Sequence, residues 1–223
     1  MNGLLGKTGS IFRAVLDVVL PPVCYVCKEP AGAKYGLCEA CLDKIKRLPR
    51  PRKHLKAAYL DGVWFASSYQ DTVKDCIHLF KYSGYAGLVD IFRDISVSAV
   101  KKAVIEQGID LIVPVPAHGS KKRERGYSHT ELIARALSKE LSVRIDSRSL
   151  KKIRRTRPQS ELDREKRLVN VKDSFLAVEK EPFRGKNILL IDDVYTTGST
   201  ADECAKALRE ARAGKVFAFA IAH

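Results

Sequence analysis

Two short stretches of this 223-residue chain bring together side chains that can do chemistry. The first is residues 188–200, ILLIDDVYTTGST. An apolar run ends in two carboxylates, Asp192 and Asp193. Val194 and Tyr195 follow, then Thr196, Thr197, Gly198, Ser199 and Thr200. A strand, a hydroxyl-rich loop and a helix in that order build an anion site. The helix start offers N–H groups and the positive end of its dipole. Glycine lets the backbone come close to the anion, and the hydroxyls add donors. The two carboxylates repel a phosphate. They suit sugar hydroxyls, or a Mg²⁺-bound ligand, at the carboxyl end of a strand, where open α/β sheets bind ligands. The competing reading is an ordinary strand-to-helix turn with Thr200 as N-cap and Glu203 closing a capping box. It leaves two aspartates at the end of a buried strand unexplained, and an unpaired carboxylate there is costly.

The second stretch holds Cys24-x2-Cys27 and Cys38-x2-Cys41. Each pair presents two thiolates to one tetrahedral Zn²⁺. Two pairs close the coordination shell, which makes the site structural rather than catalytic. Gly32 and Gly36 in the spacer ease a tight hairpin. A module this small needs its metal to stay folded. A redox CxxC requires a βαβ context that is absent at this point of the chain. Cys76 and Cys204 stand alone in apolar-patterned stretches. Cysteines distributed in this way are no disulfide framework and point to a reducing, cytoplasmic setting.

Other features carry less. Gly3-x2-Gly6-Lys7-Thr8 lacks the four-residue spacing and the preceding strand of a phosphate-binding Walker loop. The histidines at 54, 78, 118, 129 and 223 are scattered and read as surface residues. Between residues 118 and 170 there are sixteen Lys and Arg against seven Asp and Glu. The densest part runs KKIRRTR and contains Lys151, Lys152, Arg154, Arg155 and Arg157. The net charge of +14 favours polyanionic partners.

These residues need elements to hold them. The alternation of short apolar runs with helical periodicity argues for an α/β domain with a mainly parallel sheet. Strands are expected at 62–67, 111–115, 187–191 and 215–222. Helices are expected at 72–82, 88–107, 128–141 and 200–212, with Gly108 and Gly214 as stops. The proline-rich basic connector RLPRPRK, 47–53, divides the chain into residues 1–50, an N-terminal helix plus the four-cysteine module, and residues 51–223, the α/β domain. The apolar run 11–20 is interrupted by Arg13 and Asp17 and is too short to span a bilayer. It suits packing against the next module, or lying against a partner or the inner face of a membrane.

The 188–200 stretch closely resembles the phosphoribosyl pyrophosphate signature of type I phosphoribosyltransferases. The resemblance implies that Asp192 and Asp193 bind the ribose 2′- and 3′-hydroxyls, while Thr196 through Thr200 hold the 5′-phosphate, with Val194 and Tyr195 also part of the ligand site. The order of motifs narrows it further: the four-cysteine module, VPVP at 113–116, RGYSH at 125–129, RTRPQSELDREKRLVNV at 155–171, and then the phosphate loop. This order is similar to that of the ComF/GntX family, named for a competence protein, over nearly the whole chain. The usual family form of the second motif is close to RGFNQ. What the family implies is a type I phosphoribosyltransferase fold behind a zinc-ribbon-like module. It also implies phosphoribosyl pyrophosphate with Mg²⁺ as ligand, and Arg125 with Lys121, Lys122 and Arg123 near the pyrophosphate. In such an enzyme Mg²⁺ and basic residues neutralise pyrophosphate as it leaves the anomeric carbon. Two functions fit: transfer of phosphoribosyl to an acceptor, or a non-catalytic accessory role in DNA uptake with single-stranded DNA as partner. The basic stretch 151–157 is then a lid over the ligand in the first case and a DNA groove in the second.

Overall fold

The computed structural model describes residues 22–32, 35–47, 57–117, 127–154 and 171–223. The stretch 10–20, most of the connector, His54, His118, Lys121, Lys122, Arg123, Arg125, Arg155 and Arg157 lie outside the described residues.

Five strands form one sheet: β1 (Gly62–Ser67), β2 (Leu111–Pro114), β3 (Arg144–Ile145), β6 (Ile188–Val194) and β7 (Val216–Ala222). Their order is β1-β7-β6-β2-β3, and every neighbouring pair is parallel. Helices α2 (Asp71–Tyr82), α3 (Val89–Gln107) and α4 (His129–Leu141) supply crossovers, and α5 (Ser199–Glu210) links β6 to β7. Helix α1 (Glu39–Arg47) belongs to the cysteine module. The central strands are apolar on both faces because helices cover both. Side chains alternate along each strand. Leu189, Ile191, Phe217, Phe219 and Ile221 pack with Ile77, Phe80, Phe92, Val100, Ile133 and Leu137 of α2, α3 and α4. Ile188, Leu190, Val216, Ala218 and Ala220 pack with Cys204, Ala205 and Leu208 of α5.

Strands β4 (Leu150–Lys152) and β5 (Phe175–Ala177) form a separate antiparallel ribbon that the periodicity did not reveal. The ribbon leans on α5 through Leu150, Phe175 and Ala177. Lys206 Nζ fixes it by pairing with Asp173 at 2.7 Å, and Glu203 accepts the Asp173 N–H at 2.9 Å.

Gly108 ends α3 as expected, in the left-handed region at φ 60°. Beside it, Asn187 ties the start of the sheet together. Its Nδ2 donates to the carbonyls of Gln107 and Gly108, and its Oδ1 accepts the Lys215 N–H. One expected boundary was misplaced: the strand 187–191 runs on through Val194. Asp192 and Val194 still pair with Ala220 and Ala222, so both aspartates are strand residues. Among the described residues, no helix is long and apolar enough to cross a membrane.

Phe219 is fully buried in a central strand. Phe219→Ala should lower unfolding free energy by about 3–5 kcal/mol in a urea melt, the usual cost of deleting a core phenyl ring.

Candidate ligand site and metal centre

The chain crosses from β2 to β3 on one side and from β6 to β7 on the other, with α4 and α5 on opposite faces. The strand order therefore reverses between β2 and β6. A crevice at such a point, outside the carboxyl ends of the strands, is where open α/β sheets take ligands. Asp192 to Thr197 lie at that end of β6 and just beyond it.

Adjacent strand residues point to opposite faces, and the two aspartates are separated in this way. Asp193 follows Ile191 toward α2, where Lys81 Nζ pairs with its Oδ1 at 2.6 Å; the carboxylate side chain is 14% exposed and the lysine 22%. Burial alone would lower the Lys81 ammonium, but Asp193 outweighs burial and holds it above its usual range. Asp192 faces the side of α5 and the β4–β5 ribbon. Burial and then the charge of Asp193 push its carboxyl up to about 7, against the pull of Lys81, the Asp193 N–H and Lys152. Asp192 Oδ1 accepts that N–H at 2.8 Å. The site thus holds one carboxylate paired with a lysine and one that titrates near neutrality.

Sequence reasoning missed Lys81. Its signal was there: Lys81 sits four residues after Ile77 and eight after Val73, on the apolar stripe of an amphipathic helix, where a charge needs a partner.

The loop after β6 is built around Tyr195. Its ring is buried against Phe65 in an edge-on contact at 5.4 Å, and its N–H donates to Ala222. His223 Nδ1 lies 2.8 Å from the Tyr195 carbonyl and its ring stacks on Phe65 at 4.8 Å. The Tyr195 side chain is therefore the floor of the loop, and its backbone N–H and carbonyl tie that floor to the end of β7. Gly198 lies over that floor at φ 80°, and a Cβ there would collide with the Tyr195 hydroxyl and ring. Thr196 is exposed, while Thr197 and Ser199 share a hydroxyl contact at 2.9 Å.

Helix α5 begins at Ser199, with Gly198 as N-cap and no side-chain cap. The capping box expected from Thr200 and Glu203 does not form, because the helix starts earlier and Glu203 serves the Asp173 N–H. Ser199 N–H reaches Thr197 Oγ1 at 3.5 Å, and the positive end of the helix dipole faces the loop where an anion would lie.

The second motif is a set of anchors. Tyr127 Oη donates to the Phe80 carbonyl at 2.9 Å. Thr130 Oγ1 donates to Val115 at 2.7 Å, binding the start of α4 to the end of β2. His129, expected at the surface, is buried, with Phe80 and Tyr127 edge-on to it at 5.0 Å each. In the basic stretch, Lys151, Ile153 and Arg154 are exposed, and Lys152 covers the Phe175 ring at 5.3 Å.

The four paired cysteines converge. Their Sγ atoms lie within 4.8 Å of one another, with Cys27 and Cys38 3.5 Å apart. Tetrahedral zinc with Zn–S bonds of about 2.3 Å sets sulfurs about 3.8 Å apart, so the donor set fits one such ion. The first pair sits in a small loop closed by the Val23–Pro30 bridge and by Cys24 N–H donating to Glu29. The second pair leads into α1, with Cys41 in its first turn. Gly36, at φ 65°, lies against the Tyr25 ring, where any Cβ would collide.

Comparison with known proteins agrees with this layout. Residues 15–53 match the double zinc ribbon domain family. Competence protein F of Haemophilus influenzae is 28% identical over 197 residues, 80% of this chain and 86% of that protein. DNA utilization protein YhgH of Escherichia coli K12 is 26% identical over 211 residues, 86% and 92% of the two chains. Competence protein ComFC of Bacillus subtilis is 26% identical over 213 residues, 94% and 81%.

Two outcomes are expected from this geometry. An unfolded aspartate titrates near 4, so with a folded value of about 7 the folded state holds an extra proton in between. Asp192 thus stabilises the fold below about pH 4, and that contribution is lost as pH rises to about 7. Urea melts at pH 5 and pH 8 should differ less in Asp192→Asn than in wild type. Gly198→Ala should destabilise by more than about 1 kcal/mol, read as a lowered Tm, because it combines a left-handed φ with a collision.

Proposed function

For a chain of the ComF family, homologous over most of its length to competence proteins F and FC and to YhgH, we propose that the β6 crevice binds phosphoribosyl pyrophosphate with Mg²⁺ and runs phosphoribosyltransferase-type chemistry. The carrying observation is the construction around Gly198. An uncapped helix start sits beside a left-handed glycine, directly after two carboxylates at the end of a central strand. Asp192 and Asp193 take the ribose hydroxyls, and the backbone and hydroxyls of Val194 through Thr200 take the 5′-phosphate. Mg²⁺, when bound with the ligand, offsets the pyrophosphate charge. Lys81, the one cation paired directly with Asp193 among the described residues, adds positive charge beside the sugar site, and Arg125 is assigned to the pyrophosphate. Charge stabilisation and positioning suffice for this chemistry, so no separate general base is required.

A second reading rests on the relatives' names, competence and DNA utilization, and on the basic surface of the β4–β5 ribbon. Here single-stranded DNA is the ligand of Lys151, Lys152, Arg154, Arg155 and Arg157, the DNA-uptake machinery is the partner, and the transferase core does not turn over. Both readings keep the division at residue 50. Both also suit a reducing, cytoplasmic setting for the four thiolates, with the stretch 10–20 available to the inner face of a membrane.

Calorimetric titration of zinc-loaded protein with phosphoribosyl pyrophosphate and Mg²⁺ tests the first reading. Binding should appear and weaken tenfold or more in Asp193→Ala, matching the loss of about 1.5–3 kcal/mol for a charged hydrogen bond. Absence of any binding heat rejects it. The second reading expects single-strand binding that falls steeply with salt. That binding should survive Asp193→Ala and weaken when Lys151, Arg154 and Arg155 are neutralised.

A further inference from the structure

We propose that the cysteine module is the brace that sets Lys81 against Asp193, so that zinc and the anionic ligand bind cooperatively. The inference deepens the phosphoribosyl pyrophosphate reading and rests on it for its ligand.

The route is short and continuous. Cys24, Leu37, Cys38, Cys41 and Ile45 share one buried cluster with Cys76, Ile77 and Phe80 of α2. Three of the four ligand cysteines therefore sit behind the helix that carries Lys81, and α1 packs directly on α2. Two further contacts lock the module to the chain beyond α2. The Tyr25 ring meets Tyr85 at 4.4 Å, and Tyr35 Oη donates to Asp94 of α3. From the opposite side, Tyr127 holds the Phe80 carbonyl.

The last turn of α2 is anchored by its Phe80 ring against Phe92 and His129 and closed by the Ser83 N–H donating to Leu79, so its position follows whatever packs on Phe80. Ser83 and Gly84 come next, Gly84 is at φ 75°, and nothing lies within 4 Å of where its Cβ would be. The lysine ammonium is thus held at 2.6 Å from Asp193 by a turn that is clamped between the module and Tyr127. A four-thiolate module keeps its shape only with its metal. When the metal leaves, one jaw of the clamp opens, Lys81 withdraws, and the crevice is left with two adjacent carboxylates facing an anionic ligand. Lys81 acts here as a positioning residue for Asp193.

Linkage makes the effect reciprocal: if zinc tightens ligand binding, ligand must tighten zinc by the same factor. The experiment compares zinc-loaded full-length protein with chelator-stripped protein, folding being checked by far-UV circular dichroism, and with the variant Tyr85→Ala/Asp94→Ala. That variant leaves the four cysteines, Lys81 and both aspartates in place. Three quantities are read: phosphoribosyl pyrophosphate affinity by calorimetry, zinc affinity by competition with a chromogenic chelator, and hydrogen exchange across residues 78–84. Stripping should weaken the ligand about tenfold, a usual size for coupling between linked sites, and saturating ligand should tighten zinc to match. The variant should retain one zinc per chain, bind ligand as weakly as stripped protein, and exchange faster at 78–84. Unchanged exchange at 78–84 together with unchanged ligand affinity in the variant overturns the brace, even where stripped protein unfolds. Faster exchange with no ligand binding in loaded wild type upholds the brace and rejects the ligand reading instead.

Discussion

Two carboxylates side by side at the end of a buried strand are the demand that the surroundings of β6 answer. Each carries a desolvation cost, and each raises the cost of the other. The strand pleat divides the load by sending Asp193 toward α2 and Asp192 toward α5. On the α2 side a lysine arrives at 2.6 Å. On the α5 side burial and the charge of Asp193 outweigh the pull of Lys81 and Lys152, and the carboxyl rises to about 7. The asymmetry gives Asp193 an ion-pair partner and leaves Asp192 adjustable near neutral pH. A ligand rich in hydroxyls is well matched to such a pair, since an ionised carboxylate accepts and a protonated one also donates.

Much of this was legible in the residue order. Periods of 2 and 3.6 marked β1, β2, β7 and the helices α2 to α5 to within a residue or two, because the sheet is covered on both faces and its strands read as unbroken apolar runs. The cysteine spacing marked a site whose four sulfurs do converge. What stayed hidden was tertiary. The ribbon β4–β5 has three residues per strand, too few for a period to show. The strand end at Val194 was masked because charge in β6 reads as a stop, whereas pairing with β7 carries it onward. His129 looked like a surface residue, since nothing local announces the aromatic pocket formed with Phe80 from α2. Lys81 needed knowledge of which helix face meets the strand end.

The loop after β6 separates support from display. Tyr195, Phe65 and His223 form an aromatic base underneath, while Thr196 stands exposed above. Rigidity of this kind places backbone N–H groups before any ligand arrives, which spares the ordering cost at binding. The helix start contributes in the same spirit: Glu203 is engaged by the ribbon, and the N-cap is a glycine with no side chain to offer.

At the other end of the sheet, Asn187 sends its amide hydrogens to two carbonyls at the end of α3 and accepts the N–H that opens β7. An amide does both, whereas a carboxylate has no hydrogen to give. Chemical ageing of this one side chain from amide to acid would set a negative charge against the carbonyls of Gln107 and Gly108 and loosen the starts of three strands together. The durability of the fold over time is thus concentrated in a residue far from the crevice, at a place where no ligand could protect it.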